Sequence, residues 1–247
     1  MLIYIISLIF NEMIQFIYPS ICAKCSNKVF NNNDFCPSCW KGILFISDPY
    51  CAKCGSPLIS QFYNDDHLCK AQNHCYDMVK SAIVYNDFAK EMIAKFKYED
   101  QIYLSMPLSS LLIKCIASLI DSVHLIATVP MHSIHLRERK YNPSAILASD
   151  VAKHYDKLFI ADLLIKKTKT KRQNLLTLKE RQVNLKNAFI VNGKYQDMIK
   201  NKVILLIDDI ITTGNTVNEC SKALLKCGAK KVYIGTVAKT MLYREKV

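Results

Sequence analysis

Eight of the 11 cysteines fall between Cys22 and Cys75, and six of these stand in pairs two residues apart: Cys22-Ala-Lys-Cys25, Cys36-Pro-Ser-Cys39 and Cys51-Ala-Lys-Cys54. That gap lets both sulfurs of one tight turn reach a single tetrahedral ion, at about 2.3 Å for zinc, and two such turns close its shell. Cys22, Cys25, Cys36 and Cys39 therefore make a first metal site. Cys51, Cys54 and Cys69 offer three thiolates for a second, whose fourth donor could be Cys75, His67, His74 or Asp66, with Cys75 preferred. Disulfides are the competing reading. No cationic start or small-residue cleavage site precedes the first cysteine. A cytoplasmic location is therefore expected, where thiols stay reduced and structural Zn2+ is favoured. A stretch of about fifty residues with few aliphatics buries little apolar surface, so metal has to supply its folding energy. Cys115, Cys220 and Cys227 lie inside apolar helical patterns and read as core residues.

At 247 residues the chain suits a short module and one medium domain. The expected division is an N-terminal apolar helix over 1–21, a zinc-ribbon module over 22–78 and a larger domain over 79–247. Met1 to Phe10 is strongly apolar, but Asn11, Glu12 and Gln15 interrupt it well before the roughly 20 residues a membrane span needs. No integral membrane insertion is expected. The 33 Lys and Arg against 21 Asp and Glu give a formal charge of +12. Two zinc tetrathiolate sites would lower it to about +8. Such a balance suits an anionic partner, whether a polyphosphate, nucleic acid or an acidic membrane surface, with mere solubility as the plain alternative.

From Ser81 onward, apolar runs alternate with helical periods. Strands are expected at Ser81 to Tyr85, His124 to Pro130, Leu163 to Lys166, Phe189 to Val191, Lys202 to Ile207 and Lys231 to Val237. Helices are expected from Phe88 to Tyr98, from about Tyr103 to Asp121, and from Pro143 to roughly Tyr155. This alternation implies an α/β fold, a mainly parallel sheet with helices on both faces. Ligands in such sheets bind beyond the carboxyl ends of the strands.

The most informative segment lies at one such end: Val203-Ile-Leu-Leu-Ile-Asp-Asp-Ile-Ile-Thr-Thr-Gly-Asn-Thr216, running into a helix that stops near Cys227-Gly228. Thr216 with Glu219 has the form of a capping box, and Gly228 suits a left-handed stop. The amides of Thr212, Thr213, Gly214, Asn215 and Thr216, with the helix dipole, make a cradle for one phosphate. Neighbouring strand residues point to opposite faces, so Asp208 and Asp209 are expected to act together only where the strand has ended. A sugar diol beside the phosphate would suit them. The plain reading is ordinary turn chemistry. No Gly-x-Gly-x-x-Gly follows a strand and no Walker Lys-Ser/Thr pair occurs.

This segment closely resembles the motif of type I phosphoribosyltransferases that binds 5-phosphoribosyl-1-pyrophosphate (PRPP). There, two acidic residues hold the ribose hydroxyls and the threonine-glycine loop holds the 5-phosphate. With the cysteine module in front, the chain from about Tyr18 to Lys239 resembles the ComF family of double-zinc-ribbon phosphoribosyltransferases. Lys95-Phe-Lys97-Tyr98 resembles a lysine motif of that family. Val129-Pro130-Met131 through Arg137-Glu-Arg139-Lys140-Tyr141-Asn142 resembles its pyrophosphate-side loop, and Thr170 to Gln173 with Arg181, Asn184 and Ala188-Phe189 its mobile loop. Lys140 and Pro143 stand where the family usually has Gly and Gln, and Cys69 and Cys75 replace its tight fourth cysteine pair, leaving one zinc or two open.

The resemblance implies transfer of the phosphoribosyl group to a base or amine with release of pyrophosphate, Mg2+ entering with PRPP. Catalysis would rest on cations around the leaving group. Arg137, Arg139, Lys140 and Lys97 are the candidates beside Asp208 and Asp209. Their plain readings are a helix C-cap for Lys97 and solvated surface pairs for the arginines. The run Lys166 to Arg172 could be a disordered basic loop, a contact for nucleic acid or a lid over PRPP, with the lid preferred. His132 and His135 read as ordinary loop residues near a strand end. The rival expectation is a PRPP sensor, or a competence factor acting with single-stranded DNA or the uptake machinery. The acceptor cannot be read from the residues, and a homodimer is left open.

Overall fold

The computed structural model describes residues 20–30, 34–58, 74–131, 136, 140–167, 185 and 187–241. The chain divides into two compact units, Met1–Ile43 and Leu44–Val247. The N-terminal helix expected over 1–21 falls almost wholly outside the described residues; Arg137, Arg139, His132, His135, Cys69, His67, Asp66 and residues 168–172 of the expected lid lie outside them too. Among the described residues, no helix is long and apolar enough to cross a membrane.

In the smaller unit, an antiparallel bridge between Ile21 and Lys28 closes the turn that carries Cys22 and Cys25, and a one-turn helix α1 (Pro37–Trp40), opened by proline, carries Cys39. Among the described residues of this unit, Cys22, Ala23, Phe35, Cys36 and Ile43 are the buried apolar ones.

The larger unit is built on a five-stranded sheet ordered β1-β7-β6-β2-β3, every pair parallel. The strands are β1 (Met78–Val84), β2 (Leu125–Thr128), β3 (Leu158–Ile160), β6 (Val203–Ile211) and β7 (Lys231–Lys239). β6 lies at the centre, and its first five residues, Val203 to Ile207, are buried in succession. Unbroken apolarity of this kind marks a strand covered on both faces. α2 (Asp87–Tyr98), α3 (Ser105–Ile116), α4 (Pro143–Tyr155) and α5 (Asn215–Lys226) are its main helices. α3 packs on α4, β1 and β7, with Leu112 and Ile116 reaching Gly235 beside Ile207. On the other face Val217, Cys220 and Leu224 of α5 join Ile204, Leu206 and Ile234 in one core.

α4 begins and ends as its residues dictate. Asn142 caps it by accepting the Ser144 N–H, Pro143 occupies the first turn, and Asp156 leaves it in a left-handed turn. Three expectations need correction. The helix expected up to Asp121 stops at Ile116, and tighter turns then bury Leu119, Ile120 and Val123. The segments at Leu163 and Phe189 do not join the main sheet. They pair with each other as an antiparallel ribbon, β4 (Leu164–Lys166) and β5 (Phe189–Val191), next to α5. Finally, β6 runs on to Ile211, carrying Asp208 and Asp209 inside the strand.

Candidate functional site

β6, β7 and the start of α5 meet around a turn made by Thr212, Thr213 and Gly214. Gly214 caps α5 with a φ of 80°, a left-handed conformation that side chains resist, and no side chain caps the helix. The capping box expected from Thr216 and Glu219 does not form. Glu219 instead accepts the Asn187 N–H at 3.1 Å and pairs with Lys222 at 2.5 Å. The first turn of α5 therefore meets the cleft without a side chain acting as its cap, as an anion site requires. Behind the turn, the Lys239 ammonium donates to the Thr212 carbonyl at 2.6 Å, although Lys239 is only 4% exposed. The cleft in front measures ≈ 250 Å³ and is lined by Lys97, Asp208, Asp209, Thr212, Gly214, Asn215 and Thr216, with Ile210, Ile211 and Val217.

Both acids reach this cleft although the strand continues past them. The register runs from Asp208↔Thr236 to Ile210↔Ala238, and between them Asp209 turns its N–H onto the Asp208 carboxylate at 2.9 Å. Local side-chain bonding thus does what the end of the strand was expected to do. Ser144, buried at the start of α4, donates its hydroxyl to the same Asp208 oxygen at 2.9 Å. Lys97, near the end of α2, donates to Asp209 at 2.8 Å, with 16% and 10% of the two side chains exposed.

Burial, then the charge of Asp209, raises the Asp208 carboxyl to about 7, against the opposing pull of Lys97 and Ser144. Burial works against the charge on Lys97, but Asp209 and Asp208 more than offset it and hold the ammonium above its ordinary range. Lys97 is thus an internal counter-ion as well as a helix-end cation.

Of the segment that resembles the family's pyrophosphate-side loop, Val129, Pro130, Met131, Leu136, Lys140, Tyr141 and Asn142 are described. Asn142 donates to the Val129 carbonyl at 3.1 Å and Tyr141 to the Phe96 carbonyl, tying the loop to the end of β2 and to α2. Lys140 has a φ of 64°, a left-handed conformation that residues with side chains seldom adopt. Its ammonium lies on the surface with Asp100, 3.0 Å away, and does not line the cleft.

Sequence reasoning missed Ser144, Lys239 and Tyr76, whose hydroxyl lies against Gly214. Lys239 had a legible signal, a lysine closing an apolar strand. Ser144 and Tyr76 had none beyond adjacency to Pro143 and to β1.

In the smaller unit the sulfurs of Cys22, Cys25, Cys36 and Cys39 all lie within 4.8 Å of one another. A zinc tetrathiolate requires sulfurs about 3.8 Å apart, and the Cys25 and Cys36 sulfurs stand at 3.5 Å. The Cys36 N–H donates to the Cys22 sulfur at 3.3 Å. Burial opposes ionisation of Cys22, but the backbone amides of Cys36, Cys25 and Lys24 outweigh it and leave the thiol at about 6. These four residues fit a structural Zn2+. Cys51 and Cys54 sit on a like turn in the larger unit, with Gly55 at a φ of 73°. Among the described residues, neither Cys75 nor His74 gathers with them into a group of three donors.

Fold and site together define a phosphoribosyltransferase-type domain accompanied by a zinc ribbon. Residues 143–247 match the Phosphoribosyl transferase domain family, and residues 13–77 match the Double zinc ribbon domain family. The chain is 30% identical over 226 residues to Competence protein F of Haemophilus influenzae, with 88% of this chain and 96% of that protein aligned. It belongs to the competence protein F family, the ComF family. DNA utilization protein YhgH of Salmonella typhimurium is 24% identical over 226 residues, covering 90% of this chain and 91% of the relative. The purine phosphoribosyltransferase from Pyrococcus horikoshii Ot3 superposes on 57% of this chain and 78% of its own at a TM-score of 0.34 with 16% identity. So loose a likeness has no bearing on the site.

Proposed function

We propose that the larger unit binds PRPP and transfers its phosphoribosyl group to a nitrogen nucleophile, releasing pyrophosphate. The observation that carries this reading is the convergence of Asp208, Asp209, Lys97 and the Thr212–Thr216 turn on one cleft. The turn amides and threonine hydroxyls would take the 5-phosphate, and the two acids the ribose 2- and 3-hydroxyls. The nucleophile forms the new bond at the anomeric carbon as the bond to pyrophosphate breaks, the electron pair leaving on oxygen. Mg2+, entering with PRPP, would supply positive charge to the leaving diphosphate. Arg137 and Arg139 are assigned to the same end from the sequence. Lys140, turned onto Asp100, adds charge at that rim and not inside the cleft.

Lys97 would prevent the two acids from repelling an incoming polyanion. Ser144 would fix the Asp208 carboxylate so that it meets the sugar in one orientation. In this reading residues 22–78 form a double zinc ribbon and 79–247 the transferase domain, and a link to competence or DNA use follows from the names of the relatives. A PRPP-responsive competence factor without turnover is the second reading, favoured by those same names.

Calorimetry with PRPP and Mg2+ on the wild type and on the double variant Asp208→Ala/Asp209→Ala tests the binding. The wild type should give a saturable isotherm and the variant none; matching isotherms would remove the assignment. Pyrophosphate release across a panel of bases and amines then separates transfer from sensing.

A further inference from the structure

The stretch from His74 to Asp77, which leads into β1, is tied to the phosphate turn at two points. Asp77 anchors it to the sheet, donating its N–H to the Val232 carbonyl at 2.8 Å and accepting the Val232 N–H on its carboxylate at 3.0 Å. Tyr76 is 1% exposed, and its ring stacks on that of His74 with centroids 4.8 Å apart. A Cβ placed on Gly214 would stand 2.9 Å from the Tyr76 hydroxyl oxygen, so this side chain is packed directly against the cap of α5. One residue earlier, the Cys75 N–H donates to the Asn218 side-chain oxygen at 2.7 Å. Asn218 closes the first turn of α5, its own N–H bonded to the Gly214 carbonyl at 2.9 Å.

Neither Tyr76 nor Asn218 lines the cleft, so both act on a ligand only through the turn. Amide cradles are sensitive to such support. Donors have to stand about 2.7–3.1 Å from the anion oxygens, and a turn that drifts by a few tenths of an ångström loses several bonds together.

We propose that Tyr76 and Asn218 are positioning residues for the phosphate turn. Tyr76 fixes the height of Gly214, and Asn218 fastens the first turn of α5 to the Cys75 backbone. The segment that ends the cysteine-rich region thereby sets the affinity for the sugar phosphate. This rests on the assignment of the turn to the 5-phosphate of PRPP.

Tyr76→Phe keeps the ring and its stacking and removes only the hydroxyl; Asn218→Ala removes the acceptor for Cys75. Ribose 5-phosphate, inorganic pyrophosphate, and PRPP with Mg2+ are titrated calorimetrically into the wild type and each variant, alongside thermal melts. Ribose 5-phosphate and PRPP should bind about five- to tenfold more weakly to each variant. Pyrophosphate affinity should not change. Ribose 5-phosphate affinities within twofold of wild type in both variants would overturn the proposal. So would equal losses for ribose 5-phosphate and pyrophosphate, which mark general loosening of the domain. A wild type blind to PRPP and ribose 5-phosphate would instead remove the parent reading, and the proposal with it, before any variant is compared.

Discussion

Asp208 carries the least comfortable charge described in the cleft. Its carboxyl is raised from an ordinary 3.8 to about 7, burial first and Asp209 second, so the folded protein holds that proton more tightly than the unfolded chain does. A raised acid adds stability that is complete below pH 3.8 and is lost as pH climbs through about 7. The groups facing it are Asp209, Lys97 and Ser144. Asp208→Asn keeps the shape and abolishes the titration. The variant should therefore melt above wild type near pH 8, by a margin that narrows towards pH 5, while losing affinity for the sugar. Parallel melting curves at both pH values would contradict this. The residue proposed to hold the sugar diol thus weakens the fold under the conditions where it is charged, a common bargain at functional sites.

At the scale of elements, the turn between β6 and α5 concentrates the constraints. Gly214→Ala would put a Cβ in a left-handed conformation and 2.9 Å from the Tyr76 hydroxyl. Backbone strain of this kind costs about 1–3 kcal/mol. The expected result is a lowered melting temperature together with loss of PRPP binding, and a variant that binds as wild type would show the turn to be softer than described. Much of this region was legible beforehand. The run from Val203 to Ile207 announced a strand buried on both faces, Pro143 announced the start of α4, and Gly214 with its threonines announced the turn. What could not be read has a common cause. The union of Asp208 and Asp209 depends on the Asp209 N–H turning onto a neighbouring side chain, and β4 and β5 leave the main sheet because they pair with each other beside α5. Tertiary partners decide both, and periodicity does not report them. Likewise Thr216 and Glu219 had the spacing of a capping box, yet Asn187 and Lys222 claim the glutamate.

For the whole molecule, the division after Ile43 sets how it should respond to metal loss. Among the described residues, the smaller unit buries few apolar side chains around its four sulfurs, whereas the larger one has a continuous core through β6. Stripping zinc with a strong chelator should open protease sites within residues 20–43 while the sheet of the larger unit stays protected, as fragment masses would reveal. Simultaneous digestion of both units would show that the metal holds more than its own module. The Lys97–Asp209 pair has a different reach. An acid whose charge is already shared with an ammonium has little left to attract a bare divalent ion. If PRPP is the ligand, as proposed, magnesium would enter this cleft as the escort of the diphosphate and not as an ion held there in waiting.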